Sequence, residues 1–231
     1  MTIYLGIDDT NADGTPGTGK IARAAASALA RDFPVLGVTR HQLYRHDDIP
    51  ATTHNAALCV HLDGTGHAAS DQIFAYAKEF ISRCAAPGSN PGICVASGDQ
   101  IIPEIVAFAE DAKTCVLSLN EARTVARRAA LLFEGFGTMR GLIGAVAAIG
   151  LAASGNDGRY VQKGSLRDLS GSCTVSTILA AGVDEVKSTA GVVITGGTVT
   201  FREFPKPALE GGRAVLYVEP DGEGYRDVRS G

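Results

Sequence analysis

The sequence has no tryptophan and few other aromatic residues. It contains eight phenylalanines and six tyrosines in 231 residues. A core built from this composition must be packed mainly with alanine, valine, isoleucine and leucine. Because 45% of the residues are hydrophobic and 20% are charged, the composition excludes a disordered chain. The length is sufficient for one large domain or two small ones with a real core.

The chain also has no excess of positive charge. Its 21 lysines and arginines stand against 25 aspartates and glutamates, for a formal net charge of -4. Unaided binding to a long nucleic acid depends on lysines and arginines that neutralise phosphates, so we expect none from the chain as a whole. The charge is uneven, because acidic residues dominate positions 47–112 and basic residues dominate positions 113–167. The second segment can therefore form a local positive patch.

The sequence also has no Cys-x-x-Cys metal-binding pair and no long apolar run. The five cysteines include no Cys-x-x-Cys pair, so we expect buried free thiols in a reducing cytosol. The longest apolar run, 142–153, is interrupted by glycines and is too short to span a membrane. No charged leader precedes an apolar run at the N-terminus. We predict a cytoplasmic protein with no membrane partner, and a homo-oligomer is left open.

What the chain does have is 28 glycines and alternating strand and helix patterns, which together predict an α/β (α+β) fold. The predicted strands are 2–7, 35–39, 56–62, 93–96 and 159–162. The predicted helices are 20–30, 68–83, 103–111, 119–133 and 142–153. Beyond Ser165, the segments 191–194, 198–201 and 214–218 resemble strands joined by glycine-rich turns, which predicts a β-rich tail.

Two adjacent aspartates, Asp8 and Asp9, follow the first predicted strand, where ligand sites of α/β sheets tend to lie. Adjacent carboxylates repel each other unless a cation compensates, and they suit Mg²⁺ whose other ligands come from a phosphate. We therefore predict that both aspartates are metal ligands and catalytic residues, with Thr10 and Asn11 contacting a nucleotide. The alternative is a solvated turn or helix cap, although the glycine-rich loop that follows favours a functional site.

The glycine-rich loop at 14–20 matches the first seven positions of the P-loop pattern. Ile21 stands where that pattern needs serine or threonine, so a true P-loop NTPase is not expected. Backbone N–H groups of such a loop at a helix N-terminus can bind phosphate without that fold. Gly17, Gly19 and Lys20 are therefore candidate nucleotide contacts, while a solvated first-turn lysine is an equal alternative for Lys20.

Five segments form a more specific pattern together than any one of them alone. They are Gly6-Ile7-Asp8-Asp9-Thr10; Ile49-Pro50 with Thr53 and Asn55-Ala56-Ala57; Asn90-Pro91-Gly92; Ser118-Leu119-Asn120-Glu121-Ala122; and Arg140-Gly141-Leu142-Ile143-Gly144-Ala145-Val146-Ala147-Ala148-Ile149-Gly150. In this order they resemble the archaeal tRNA-Ile agmatinylcytidine synthetase family. The resemblance implies a kinase-like α/β domain over 1–66, packed with a ferredoxin-like domain over 67–165. A β-rich extension would occupy 166–231.

The chemistry implied by the resemblance is ATP binding and Mg²⁺-dependent phosphoryl transfer, with Asp8 and Asp9 matching the family's metal-binding aspartates. In that family, ATP phosphorylates the C2 carbonyl oxygen of a wobble cytidine and agmatine displaces the phosphate. The resemblance also places His54 and Asn55 near the nucleotide, although an isolated histidine is more often a surface residue. Arg140, just before a predicted helix, is a candidate phosphate contact; the alternative is a solvated arginine.

The chain departs from the family at several points. Asn11 replaces an aspartate, so one charged ligand is lost. Thr18 is the nearest positional match to the family's autophosphorylated threonine and is our third catalytic candidate. We expect neither the family's OB-fold nor its zinc ribbon, which bind tRNA, because the chain length and the cysteines do not allow them.

These features predict an ATP- and Mg²⁺-dependent phosphotransferase or ligase that acts on a small-molecule or nucleoside acceptor rather than on intact tRNA. One alternative is a noncatalytic nucleotide-binding or sensing module, which Asn11 and the altered threonine motif favour. A second is an RNA-interacting subunit that binds RNA through segment 113–167 or through a partner. Arg123 and Arg127 share a helix face in that segment, although such a stripe is by default a solvated surface.

Overall fold

The computed structural model describes residues 1–50, 54–64 and 66–228. The chain divides into two compact units, Met1–Ser154 and the residues from Gly155 onward. The mixed α/β class predicted from the sequence is confirmed, whereas the three-part domain division remains a prediction. Thr53, one residue of the family pattern, lies outside the described residues. Within the described part, no helix combines the length and apolar character needed to cross a membrane.

The first unit is built on an antiparallel sheet with the strand order β5-β4-β1-β3-β2. The strands are β1 (Thr2–Asp8), β2 (Val35–Gln42), β3 (Ala56–Asp63), β4 (Gly92–Ser97) and β5 (Leu132–Gly135). β1 is central because Ile3, Leu5 and Ile7 alternate along it and are fully buried. Its C-terminus therefore lies midway between the two outer strands, and the two aspartates are located there.

Among its described residues, the first unit also contains five α-helices. They are α1 (Thr18–Leu29), α2 (Gly66–Cys84), α3 (Pro103–Asp111), α4 (Leu119–Arg128) and α5 (Gly141–Ser154). α5 consists almost entirely of small apolar residues, nearly all of them buried. A Cβ at Gly6 of β1 would lie 2.0 Å from the carbonyl oxygen of Ala145. The glycine therefore allows α5 to pack directly against the central strand.

The predicted helix over 119–133 is wrong beyond Arg128. α4 ends at Arg128, and Ala130 has a φ of 53°, a left-handed conformation that breaks the helix. Residues Leu132–Gly135 form β5 instead and pair antiparallel with β4. Hydrogen bonding to the free edge of β4 has outweighed the local helix propensity, as tertiary context often does.

The second unit is rich in strands, in agreement with the predicted tail. It contains β6 (Arg159–Gln162), β7 (Gly171–Thr174), α6 (Val175–Ala180), β8 (Glu185–Ser188), β9 (Thr198–Phe201), β10 (Ala208–Glu210), β11 (Arg213–Asp221) and β12 (Gly224–Asp227). The strands follow the order β6-β10-β11-β12-β9-β7, and β8 pairs in parallel with β11. Ile178, Val199 and Leu216 lie in its core.

The predicted strand over 191–194 is also wrong. Gly191 has a φ of 83°, and the chain folds back so that the Ser188 N–H donates to the Val192 carbonyl oxygen. Val193 forms only an isolated bridge with Lys187. Val192 is 61% exposed. The predicted strand is thus reduced to a single bridge that follows a turn, although Ile194 still packs against the core of the second unit.

Candidate functional site

A cleft of about 230 Å³ opens in the first unit between the end of β1 and the beginning of α5. Seven of the residues selected from the sequence line it: Asp8, Asp9, Asn11, Thr18, His54, Asn55 and Arg140. Thr10, Gly17, Gly19 and Lys20 are not among its lining residues. The structure therefore brings most of the predicted site together, although these residues come from four separate stretches of the sequence.

Asp9 and Arg140, which both line the cleft, form an ion pair. The Nε atom of Arg140 donates to Oδ2 of Asp9 at 2.7 Å. The Asp9 side chain is 18% exposed and the Arg140 side chain 40% exposed, so the carboxylate is the more buried partner. Asp9 also has a φ of 52°, a left-handed conformation that costs energy for a residue other than glycine and often marks a functional site.

Asp8 lies against the backbone of α5. A Cβ at Gly144 would lie 2.0 Å from Oδ2 of Asp8, so the carboxyl group occupies space that any larger residue would fill. Burial raises the pKa of Asp8 to about 7, and the neighbouring Asp9 also raises it, whereas the Asp9 N–H and Arg140 act in the opposite direction. The charged form of Asp8 is thus poorly compensated, and a bound cation would stabilise it.

Thr18, at the start of α1, joins the two sides of the β1–α1 loop. Its buried Oγ1 accepts from the N–H of Thr10 at 3.3 Å and from the Thr10 hydroxyl at 3.2 Å. It donates to Oδ1 of Asn11 at 3.1 Å. The Thr18 hydroxyl therefore makes three hydrogen bonds, and its neighbour Asn11 is an amide rather than a carboxylate base. A nucleophilic Thr18 would have to leave this network, so its catalytic role stays a prediction.

The predicted phosphate loop is open on its outer side. A Cβ at Gly17 would meet nothing within 4 Å, and one at Gly19 would meet only Nη1 of Arg23 at 3.7 Å. No side-chain hydrogen bond caps α1 at Gly17. The side chain of Lys20 is exposed. This helix start is accessible to a ligand, but its role in binding remains a prediction.

The beginning of α5 differs, because its N–H groups already have backbone partners. The N–H of Gly141 donates to the Asn90 carbonyl oxygen, that of Leu142 to Met139, and that of Ile143 to Arg140. Oδ1 of Asn90 also accepts from the Thr138 N–H at 2.9 Å. An anion at this end of the cleft would therefore depend on the Arg140 guanidinium more than on free helix amides.

His54 and Asn55 make different kinds of contact at the opposite wall. Nδ2 of Asn55 donates to the Tyr44 carbonyl oxygen at 2.6 Å, so Asn55 ties together the chain around β2 and β3. Nη2 of Arg45 donates to Nδ1 of His54 at 2.5 Å. Because a guanidinium has no acceptor, His54 must be neutral in this contact and carry its proton on Nε2. Arg45 was missed in the sequence, where nothing links it to His54.

The remaining wall of the cleft is largely apolar, and its residues were not among the site residues predicted from the sequence, although Ile49, Pro50 and Ile143 lie in the family segments. It includes Leu43, Ile49, Pro50, Ala112, Val116, Leu117 and Ile143, with Asp48 and Cys115 beside them. These residues come from the end of β2, from the loop after it, from the segment between α3 and α4, and from α5. No local motif connects them. An apolar surface next to a few converging polar groups is typical of small-molecule sites.

The side chains of the cleft suit Mg²⁺ only if other ligands come from outside the protein. In the described ranges, no group of three or more histidine, cysteine, aspartate or glutamate side chains is arranged to hold a metal ion. Asp8 and Asp9 supply two carboxylates. Mg²⁺ is commonly held by one or two carboxylates, with substrate phosphates and water as the other ligands. The residues therefore suit a Mg²⁺ ion that arrives with a nucleotide better than one held by the protein alone.

The comparisons with known proteins agree on one group of relatives. No family model matches the chain. The isoleucine-tRNA 2-agmatinylcytidine synthetase TiaS of Methanocorpusculum labreanum (strain ATCC 43576 / DSM 4855 / Z) is 32% identical over 153 residues, which is 64% of this chain and 34% of that protein. The chain thus spans about a third of the length of this relative.

Solved structures give the same result. Apo TiaS, an isoleucine-tRNA agmatidine synthetase, matches with a TM-score of 0.56 and 25% identity, covering 65% of this chain and 35% of that one. The complex of TiaS with isoleucine tRNA and ATP matches with a TM-score of 0.57 and 26% identity, covering 65% and 36%. The complex of TiaS with isoleucine tRNA, AMPCPP and agmatine matches with a TM-score of 0.55 and 25% identity, covering 64% and 36%.

Proposed function

We propose that this chain is an ATP- and Mg²⁺-dependent enzyme of the phosphotransferase or ligase type. About two thirds of it resembles the tRNA-Ile agmatinylcytidine synthetases in sequence and fold, as the five sequence segments predicted. The observation that carries the proposal is the convergence of Asp8, Asp9 and Arg140 at one end of an apolar cleft. Paired carboxylates and a guanidinium are the groups needed to bind a metal–phosphate complex.

In this proposal, Asp8 and Asp9 would hold Mg²⁺, which neutralises charge on the phosphates when it is bound. Arg140 contacts a phosphate oxygen through its guanidinium, which has the donor geometry for that task. The Nε2–H of His54 is a donor for an acceptor atom of the ligand at the opposite wall. The apolar residues exclude water and pack against the organic part of the ligand, which strengthens the polar contacts.

The β1–α1 loop has a supporting part in the proposal. Thr10 and Asn11 hold the Thr18 hydroxyl at the start of α1. Gly17, Gly19 and Lys20 follow in the same loop at the start of α1, and we propose that they contact the outer part of a phosphate chain. Asn55 keeps the facing wall in place through its bond to the Tyr44 carbonyl oxygen.

The acceptor in this proposal is a cytidine carried by RNA. Two of the similar solved structures are complexes with isoleucine tRNA, so the comparisons give no support to the small-molecule acceptor favoured by the sequence. The chain has a net charge of -4 and spans about a third of its relatives. Its own contribution to RNA binding is expected from the basic segment 113–167.

Calorimetric titration with ATP and Mg²⁺ tests the nucleotide site. We expect the unsubstituted chain to bind and the double variant Asp8→Asn/Asp9→Asn to lose binding, because the carboxylate ligands are gone. The matched control is Asp32→Asn/Asp71→Asn, which removes two exposed carboxylates outside the cleft and should bind normally. Unchanged binding in the Asp8/Asp9 variant would contradict the proposal.

A noncatalytic nucleotide sensor is the second candidate. It is favoured by the Thr18 hydroxyl, which is fully engaged and has the Asn11 amide where a carboxylate base would be needed. Incubation with ATP, Mg²⁺ and tRNA, with and without agmatine, separates the two. Sustained formation of ADP or AMP that disappears in Asp8→Asn establishes an enzyme. Tight binding of ATP without any turnover establishes the sensor.

A further inference from the structure

The position of Arg140 points to a second role, which rests on the nucleotide site proposed above. We infer that Arg140 makes this site selective for a metal ion that arrives with its nucleotide. Its guanidinium neutralises Asp9 when no ligand is bound. It then transfers from the Asp9 carboxylate to a phosphate when the metal–nucleotide complex enters.

Without a ligand, Arg140 already pairs with Asp9, one of the two predicted metal ligands. Nε of Arg140 lies 2.7 Å from Oδ2 of Asp9, and the Asp9 side chain is only 18% exposed. A metal ion without a nucleotide would have to approach this carboxylate against a positive charge within a few ångströms. Such like-charge repulsion is strong where water is partly excluded.

The rest of the cleft supplies few ligating side chains to a metal ion that has no nucleotide. Asp8 is the other predicted metal ligand here, and its carboxyl group is packed against α5 at Gly144. As noted above, the described residues provide no cluster of three ligating side chains. A lone divalent cation should therefore bind weakly.

The phosphate chain of a nucleotide raises the affinity of the site for the metal ion, because it can interact with Arg140. Of the described residues that line the cleft, Arg140 is the only lysine or arginine. The first N–H groups of α5 are bonded to backbone carbonyls, so the guanidinium is the main cationic group available to an anion at this end. A phosphate can attract it in a charge-assisted, bidentate contact. Asp9 is then released to the incoming metal ion.

The backbone around Arg140 is held in place, so the transfer needs only side-chain rotation. Asn90 accepts from the N–H groups of both Thr138 and Gly141, which fixes the loop on either side of Arg140. The arginine side chain itself is 40% exposed. The guanidinium can consequently change partners while the start of α5 keeps its position.

The test compares two ligands on one variant, because the inference predicts effects of opposite sign. Arg140→Gln should bind Mn²⁺ alone about tenfold more tightly than the unsubstituted chain, since Asp9 is freed from a neighbouring positive charge. The same variant should bind ATP with Mg²⁺ at least about tenfold more weakly, since a phosphate contact is lost. Calorimetry measures both, with no need for turnover.

Two further variants complete the experiment. Arg127→Gln removes the same charge from an exposed position on α4 outside the cleft and should change neither affinity. Arg140→Lys retains the positive charge, so binding of Mn²⁺ alone should stay as weak as in the unsubstituted chain, and binding of ATP with Mg²⁺ should be partly restored. A gain of Mn²⁺ affinity in Arg140→Lys comparable to that in Arg140→Gln would overturn the inference.

The inference would also fail if a folded Arg140→Gln variant lost affinity for both ligands or kept both unchanged, because Arg140 would then be a structural residue only. Unfolding curves for each variant establish that the chain is folded, and Arg140→Lys decides the question if Arg140→Gln does not fold. Failure of the proposed function is distinguishable: in that case the unsubstituted chain itself would not bind ATP with Mg²⁺.

Discussion

The guanidinium of Arg140 donates to the carboxylate of Asp9 at 2.7 Å, across 131 positions of sequence. This contact joins the end of the central strand β1 to the beginning of the buried helix α5. The backbone is left-handed on both sides of it, with a φ of 52° at Asp9 and 64° at Met139. Two such conformations beside one ion pair cost energy, and the surrounding fold maintains them at the proposed ligand site.

Gly144 should control binding without controlling stability. Gly144→Ala places a Cβ where Oδ2 of Asp8 now lies, so we expect the carboxylate to rotate and the affinity for ATP with Mg²⁺ to fall at least about tenfold. Alanine is better in a helix by about 1 kcal/mol, so the thermal midpoint should be unchanged or higher. Calorimetry and thermal unfolding measure the two effects.

Gly150→Ala on the same helix is the matched control for this prediction. A Cβ there would lie 2.6 Å from the carbonyl oxygen of Ile105 in α3, a rigid backbone atom. We expect a loss of about 1–3 kcal/mol in stability from overpacking, with ligand affinity retained in the folded protein. Equal effects of the two substitutions on binding would show that Gly144 has no special relation to Asp8.

Cys115 should report whether the cleft is occupied. Cys115 is exposed and lines the cleft, whereas Cys84 is exposed outside it. Both thiols should react with a maleimide, and burial raises the pKa of Cys59 and Cys94, so those two should react slowly. Saturating ATP with Mg²⁺ should protect Cys115 and leave Cys84 unprotected. Mass spectrometry of labelled peptides gives the two rates, and an undiminished rate at Cys115 would place the ligand elsewhere.

His41 should make the chain sensitive to acid. It is fully buried in β2, and its Nε2 lies 2.7 Å from Oγ1 of Thr39, which also contacts Nε2 of the buried His61 at 2.8 Å. Burial lowers the pKa of His41 to about 3, and the charge of Lys113 acts in the same direction. The folded state thus holds His41 neutral, while the unfolded state takes up a proton near pH 6.5.

The stability contributed by neutral His41 is present above pH 6.5 and is lost as the pH falls from 6.5 towards 3, by up to about 1.4 kcal/mol per pH unit. Urea unfolding between pH 4 and 7 should show this loss, and His41→Gln should reduce the slope. His67→Gln, at an exposed position of α2, is the control and should retain the slope. A His41→Gln curve parallel to that of the unsubstituted chain would refute the assignment.

Arg45 should determine which nitrogen of His54 carries the proton. Its guanidinium donates to Nδ1 of His54, so long-range ¹⁵N–¹H spectra should show Nδ1 without a proton and Nε2 with one. In Arg45→Met this preference should disappear, and in Arg45→Lys it should be partly restored. A mixture of tautomers in the unsubstituted chain would contradict the contact.

The sequence located the parts of the site that lie within continuous segments. Asp8 and Asp9 directly follow the apolar run that forms β1, and Arg140 directly precedes the small-residue run of α5. Local pattern is sufficient in such cases, because strand and helix periodicity report which residues are buried. The family resemblance was visible for the same reason, since its motifs are short and local.

Long-range pairing explains where the sequence predictions failed. The helix predicted over 119–133 ended at Arg128, and Leu132–Gly135 became β5 because β4 offered a free edge. The segment 191–194 has a strand composition but forms an isolated bridge through Val193 instead of a strand. Gly144 lies in a run of small residues typical of helix packing, yet it makes room for the Asp8 carboxylate.

By itself, the sequence determined the alternation of strands and helices, the buried central strand and the placement of two aspartates at its end. Each of these depends on neighbouring residues and on the burial of one face. Only the tertiary structure decided that Arg140 would pair with Asp9, that Arg45 would fix His54, and that an apolar wall would face them. These contacts join segments far apart in the chain, and their geometry follows from how the helices pack on the sheet.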